Sequence, residues 1–145
     1  PMLLPSLAGA EGFFTHSISP TLKFLGYHES AIYIPRWVVV QPWIFGEKTC
    51  IRDIIRHEYA HAFQECYPKK IKPRAFEKVF GGSYYNPDAK DFRPKAYVSK
   101  YAASMPMEDF AETFMYFLKY KGNCPRQFNR PIIQRKWQYI NQLLS

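Results

Sequence analysis

Within the 145-residue chain, one short stretch carries the residue types of hydrolytic metal chemistry: His57-Glu58-Tyr59-Ala60-His61. On a helix, residues four apart lie about 40° apart around the axis and one turn apart along it, so both imidazoles can reach one ion. Glu58 projects about 60° from His61, where it can touch a water held by the ion without being a ligand. That is why an H-E-x-x-H needs this spacing, with a carboxylate as the base. A second stretch, Glu108-Asp109-Phe110-Ala111-Glu112, sets two more carboxylates four apart. A catalytic zinc site takes three protein ligands and keeps a fourth position open, and His2Glu is one of the standard sets. Glu108 is therefore read as the third ligand beside His57 and His61. Glu112, one turn on, sits behind and hydrogen-bonds a ligating imidazole, His57 before His61. A rotated helix would exchange the two glutamates. The implied cofactor is one Zn2+ per chain, zinc leading over other divalent ions for this donor set.

The two motifs, with Tyr101-Ala102-Ala103-Ser104-Met105-Pro106-Met107 leading into the second, resemble the gluzincin (HExxH…E) metallopeptidases. Within these the chain is most similar to the branch holding the anthrax lethal factor catalytic domain and many bacterial zinc peptidases. Those carry E-[DF]-[FW]-A-E on the helix that follows the HExxH helix. The resemblance spans roughly residues 50–121. It implies His57, His61 and Glu108 as ligands, Glu58 as general base and Glu112 as supporting acid. It also implies that Tyr101, seven residues before Glu108, faces the metal and hydrogen-bonds the oxyanion of the tetrahedral intermediate. The stretch between the motifs is longer than in thermolysin-like enzymes and rich in tyrosine, so Tyr84, Tyr85 and Tyr97 compete for that role. The fold it implies is zincin-like α+β, with a small mixed sheet on one side, helices on the other and a cleft between. An edge strand beside the HExxH helix would receive the peptide antiparallel.

The positioning elements can be read from apolar periodicity and breakers. Cys50 to Tyr67 reads as a helix stopped by Pro68. Pro73–Phe80 reads as a short helix capped by Gly81, and Gly82–Ser99 as a loop of several turns. A second strong helix is expected over Pro106–Lys121, with Ser104 as cap and Gly122 as terminator. Its apolar stripe is Phe110, Ala111, Phe114, Met115, Phe117 and Leu118. A last helix follows Pro131, with Ile133, Trp137, Ile140 and Leu144 at helical spacing. Residues 1–30 read as irregular, and Ala31–Val40 as a strand that Pro35 demotes to an edge or a bulge. Residues 1–145 read as a single catalytic domain.

Composition excludes several classes. Hydrophobic residues are 47% and aromatics 18% of the chain, enough for a core and unlike disorder, collagen or coiled coil. The 12 prolines imply short elements. No apolar run approaches the ~20 residues of a membrane helix. Met2–Ala10 is apolar but short and lacks the basic start of a signal peptide. With Pro1 first, the N-terminus reads as trimmed, and the compartment stays open. Three cysteines without a CxxC argue against a disulfide framework or a cysteine zinc site. Cys50 falls on the histidine face two turns away and reads as a buried thiol. Asp53 is assigned no role, Asp109 reads as a solvated or capping acid, and His16 and His28 as ordinary loop histidines. Arg52, Arg56, Lys69, Lys70 and Lys72 read as a solvated basic end.

The reading is a zinc-dependent endopeptidase acting on a peptide or protein, with no membrane partner and nucleic acid disfavoured; the oligomeric state is not legible. One alternative is a regulatory protease that cuts a single protein partner. Another is a catalytically inactive module that docks a protein or nucleic acid. The net charge of +8 and the C-terminal basic residues Lys119, Lys121, Arg126, Arg130, Arg135 and Lys136 favour the latter.

Overall fold

Proline and glycine punctuation delimits four helices among the described residues. Cys50 is extended and opens α1, Ile51–Cys66, which stops ahead of Pro68. Pro73 sits in the first turn of α2, Pro73–Phe80, where a missing N–H costs nothing. Gly81 closes α2 at φ 79°, a left-handed conformation that glycine adopts without a Cβ penalty. Met105 is extended ahead of α3, Pro106–Lys119, whose first turn carries Glu108 and Asp109 against the positive end of the helix dipole. Beyond Tyr120 the chain turns through Gly122 at φ 81°. The fourth helix, α4, is Pro131–Leu144. The structure, a computed structural model, describes residues 13–17, 29–33, 50–85 and 93–145, the first two segments as backbone.

Aromatic side chains make the core. Phe110 and Phe114 of α3 are fully buried and pack along the helix as a tilted pair with centroids 5.5 Å apart. Phe63 of α1 packs on Phe114 at 5.6 Å, and Phe76 and Phe80 of α2 meet Phe110 edge-on at 5.8 and 5.7 Å. On the other side Trp137 of α4 packs on Phe117 at 5.5 Å and donates its indole N–H to the Gly122 carbonyl. Helix α3 is thus covered by α1, α2 and α4, so most of its residues are buried rather than one stripe. Edge-to-face and tilted pairs of this kind add to the free energy of area burial.

The expected α+β architecture with a small mixed sheet is overturned: the described residues form a helical body. The strand pairing described among them is a single antiparallel ladder, β1 (Phe13–Ser17) with β2 (Glu29–Tyr33), Phe13 opposite Tyr33 and Ser17 opposite Glu29. Two five-residue strands do not make a layer that a core can be built on; the helices supply that core. β1 falls in the stretch expected to be irregular. The expected strand Ala31–Val40 is seen only as far as Tyr33, and its remainder, with Pro35, lies outside the described residues. His28 and the middle of the Gly82–Ser99 loop, residues 86–92, also lie outside them, whereas His16 lies in β1. Three smaller expectations are corrected. Ser104 does not cap α3 but donates to the Tyr101 carbonyl at 2.7 Å. Leu143 rather than Leu144 faces the core, as the end of α4 turns past its stripe. Cys50 is exposed, because it precedes the helix and so has no place on its faces; all three cysteines are free thiols. No helix of the described residues is long and apolar enough to cross a membrane.

Candidate metal centre

The two carboxylates on α3 and the two histidines on α1 meet where these helices pack together. His57 is 8% exposed and Glu108 is 8% exposed, so both polar groups must find partners inside the protein. His57 Nε2 lies 3.0 Å from Glu108 Oε2 and 3.2 Å from His61 Nε2. The third side of the triangle, His61 Nε2 to Glu108 Oε2, is 3.6 Å. The two rings stand edge to face, centroids 5.0 Å apart. A tetrahedral zinc with bonds of ~2.0–2.2 Å keeps its ligand atoms roughly 3.3–3.6 Å apart. Two nitrogens and one carboxylate oxygen converging at these spacings fit such an ion, and His57, His61 and Glu108 could hold a metal.

Each imidazole also has a partner on its far nitrogen. His57 Nδ1 is 2.8 Å from Glu112 Oε1, and His61 Nδ1 is 3.0 Å from the Tyr84 hydroxyl. Glu112 is held in turn: Ser99 Oγ donates to its second oxygen at 2.6 Å and accepts the Ala102 backbone N–H at 3.0 Å. Outer partners of this sort set the tautomer and ring plane of a ligating histidine.

The electrostatics follow the contacts. Burial alone would pull the His57 imidazole down, but hydrogen bonds and charge from Glu108 and Glu112 outweigh it and push it up to about 10. Burial alone would raise Glu108, but the hydrogen bonds and charge of His57 and His61 outweigh it and bring it down to about 2. His57 therefore carries a proton that any cation arriving at Nε2 has to displace.

Glu58 is buried on α1, and its charge reaches the phenols of both Tyr84 and Tyr101. The four tyrosines separate by environment. Tyr101 stands on a 3-10 turn, Tyr101–Ala103, just before α3, with its ring 5.7 Å from that of His57 and 55% of its surface exposed. Burial of its phenol and the charges of Glu108, Glu58 and Glu112 keep it protonated well above neutral pH. Tyr84 is buried and engaged with His61. Tyr85 is exposed and donates to Glu65 Oε1 at 2.7 Å. Tyr97 lies under the Lys136 ammonium, 4.4 Å from Nζ to ring centroid, on the α4 side of α3.

Two acids differ from their sequence reading. Asp109 is not solvated: it is 1% exposed and accepts from Lys136 Nζ at 2.6 Å. Asp53 has a structural role, accepting from Arg56 at 2.7 Å and from Lys119, which ties the start of α1 to the end of α3. Sequence reasoning also missed Ser99 and the Tyr84–His61 contact. Ser99 had a signal, since a serine three residues ahead of a backbone N–H in a helical turn is a recurrent local motif. Nothing in the spacing pointed to Tyr84 as a histidine partner.

Comparison with known families places the chain beside one of them. The model of the family described as "Putative zinc-binding metallo-peptidase" matches residues 48–126, a span containing both motifs and every site residue named above. No curated protein and no solved structure matches the chain.

Proposed function

The chain belongs to this zinc-binding metallo-peptidase family, whose model covers more than half of it, and from that premise we propose that it is a zinc-dependent endopeptidase of the gluzincin type, a single catalytic domain over residues 1–145. The observation that carries the reading is the convergence of His57 Nε2, His61 Nε2 and Glu108 Oε2 at 3.0, 3.2 and 3.6 Å, with Glu58 buried on the same helix.

His57, His61 and Glu108 would hold one zinc, which would supply Lewis acidity to a peptide carbonyl and to water. Glu58 takes the proton of the attacking water on its carboxylate and passes it to the leaving amine. Glu112 keeps the Nδ1 proton of His57 in place so that Nε2 points inward, and Tyr84 does the same for His61. Tyr101, protonated at working pH, donates a hydrogen bond to the oxyanion; donors aimed at developing charge are worth about 3–4 kcal/mol each. Tyr84 is turned to the far nitrogen of His61, Tyr85 to Glu65 and Tyr97 to Lys136, whereas the Tyr101 phenol hydrogen-bonds Glu108 itself, which favours Tyr101 for this role. The engagement of Lys136 with Asp109 and of Lys119 with Asp53 removes two cations from the basic surface on which docking to nucleic acid would rely. Peptides or proteins are the proposed substrates.

The test is elemental analysis of protein never exposed to chelator, with Glu58→Ala and His61→Ala beside wild type. We expect about one zinc per chain, kept in Glu58→Ala and lost in His61→Ala. A peptide library should be cut by wild type, and the Glu58→Ala rate should fall by about 10²–10⁴-fold. Wild type without stoichiometric metal would sink the reading.

A further inference from the structure

One hydroxyl lies behind two of the groups just described. Ser99, half-buried in the loop ahead of the 3-10 turn, donates to Glu112 Oε2 at 2.6 Å and accepts from the Ala102 N–H at 3.0 Å. The other Glu112 oxygen is the one that meets His57 Nδ1 at 2.8 Å. Ala102 belongs to the turn that displays Tyr101. A hydroxyl offers one donor and two acceptor lone pairs, so a single serine can serve both partners at once.

We propose that Ser99 is a positioning residue that fixes the Glu112–His57 pair and the Tyr101 turn in one register. The proposal rests on the metallopeptidase reading and adds a residue to it. The contact to Glu112 has the length of a charge-assisted O–H···O⁻ bond. With both oxygens engaged, the carboxylate cannot swing about its terminal torsion, which is otherwise broad. Without Ser99 that rotation is free, the Oε1–Nδ1 contact loosens, and His57 loses the partner that aims Nε2. The Ala102 N–H is left without its acceptor in the same step. No other side-chain type of that size without a hydroxyl can replace both bonds.

The experiment measures zinc affinity by chelator competition, which does not depend on turnover. Ser99→Thr and Ser99→Val are isosteric with each other and differ in the hydroxyl; Ser99→Ala, smaller than the native residue, carries the test if valine does not fold. Each is checked by urea unfolding without metal. Ser99→Thr should bind zinc close to wild type. Ser99→Val and Ser99→Ala should bind about tenfold more weakly, the low end of the loss seen on removing an outer partner of a ligating histidine. In a Glu112→Ala background, Ser99→Val should cost nothing further, because the side chain through which it acts is gone. Wild-type affinity in Ser99→Val and Ser99→Ala, or a full additive loss on Glu112→Ala, overturns the role of Ser99 while leaving the peptidase reading intact. A wild type that binds no zinc overturns that reading and this proposal with it.

Discussion

Glu108 and Asp109 are neighbours in the first turn of α3, and both are buried, yet they lie on different faces of the helix and meet opposite electrostatic outcomes. Glu108 looks toward α1, where hydrogen bonds from two imidazoles overcome burial and hold its pKa down at about 2. Asp109 looks toward α4, where burial prevails over Lys136 and Thr113 and pushes it up to about 6. Lys136 is lowered for the same reason, burial, against the pull of Asp109. The difference lies in what surrounds the charge. On the α1 side the partners are imidazoles, and a divalent cation can displace the proton that His57 carries. On the α4 side the counter-ion is permanent, and Lys136 also donates to the Ala96 carbonyl and lies over the Tyr97 ring. One helix therefore turns to one face a carboxylate that, with two imidazoles, could hold a metal, and to the other a closed ion pair.

The largest effect should come from breaking the closed side. Lys136→Met leaves Asp109 buried and without its counter-ion, a change that typically costs about 3–5 kcal/mol. Urea unfolding of the metal-free protein should show it. Adding Asp109→Leu should recover most of the loss, since replacing both members of a buried pair is often neutral. A Lys136→Met protein as stable as wild type would mean that water or another group reaches Asp109 and that the two faces are less different than they look.

A smaller effect separates the tyrosines on the open side. Tyr101→Phe should lower kcat by about 10²–10³-fold, the loss expected for one oxyanion donor, and weaken zinc less than Tyr84→Phe does. Tyr84→Phe should do the converse, weakening zinc by about 10–100-fold through His61, as loss of an outer partner does. Chelator competition and peptide turnover on the same two variants decide the matter, and a reversed pattern would exchange the two roles.

How much of this is legible in the sequence depends on how local each cause is. Four-residue spacing is a property of one helix, so spacing alone pairs His57 with His61 and Glu108 with Glu112 on shared faces. Pro73, Gly81, Pro106 and Pro131 mark helix ends through their own backbone preferences, and α2 and the starts of α3 and α4 fall where those residues put them. What stays hidden depends on distant partners. Lys136 reads as surface charge because nothing near it in sequence reveals Asp109, 27 residues away; it is 2% exposed. The α+β expectation comes from the resemblance, with Ala31–Val40 as the one strand read from the residues, and it fails because a resemblance carried by two helical motifs does not fix what pairs elsewhere in the chain. Apolar β-branched runs describe strands that could pair, whereas the number of partners a strand finds is set by the whole chain. Cys50 is misplaced by a face argument because such an argument holds only inside the helix, and it stands one residue outside α1.

The smallest effect is also the most direct comparison of the two faces, because it reads the exchangeable protons themselves. In the metal-free protein the folded pKa of His57 is raised from 6.5 to about 10. A raised folded pKa stabilises the fold fully below about 6.5, and that contribution is lost as pH rises through about 10. Glu108 runs the other way: its depressed pKa contributes above about 4.5 and is lost as pH falls through about 2. Between those limits His57 is an imidazolium, and zinc can bind Nε2 after displacing its proton. Zinc affinity should therefore rise with pH across 6.5–8.5, by up to about tenfold per unit for the one proton displaced. The stabilisation of the fold by zinc should rise with it. Glu112→Gln removes one of the two carboxylates that raise His57, so its slope should flatten in the upper half of that range. A wild-type affinity independent of pH over the whole range would mean that His57 is already neutral before metal arrives, and that the α1 face is as fixed as the α4 face.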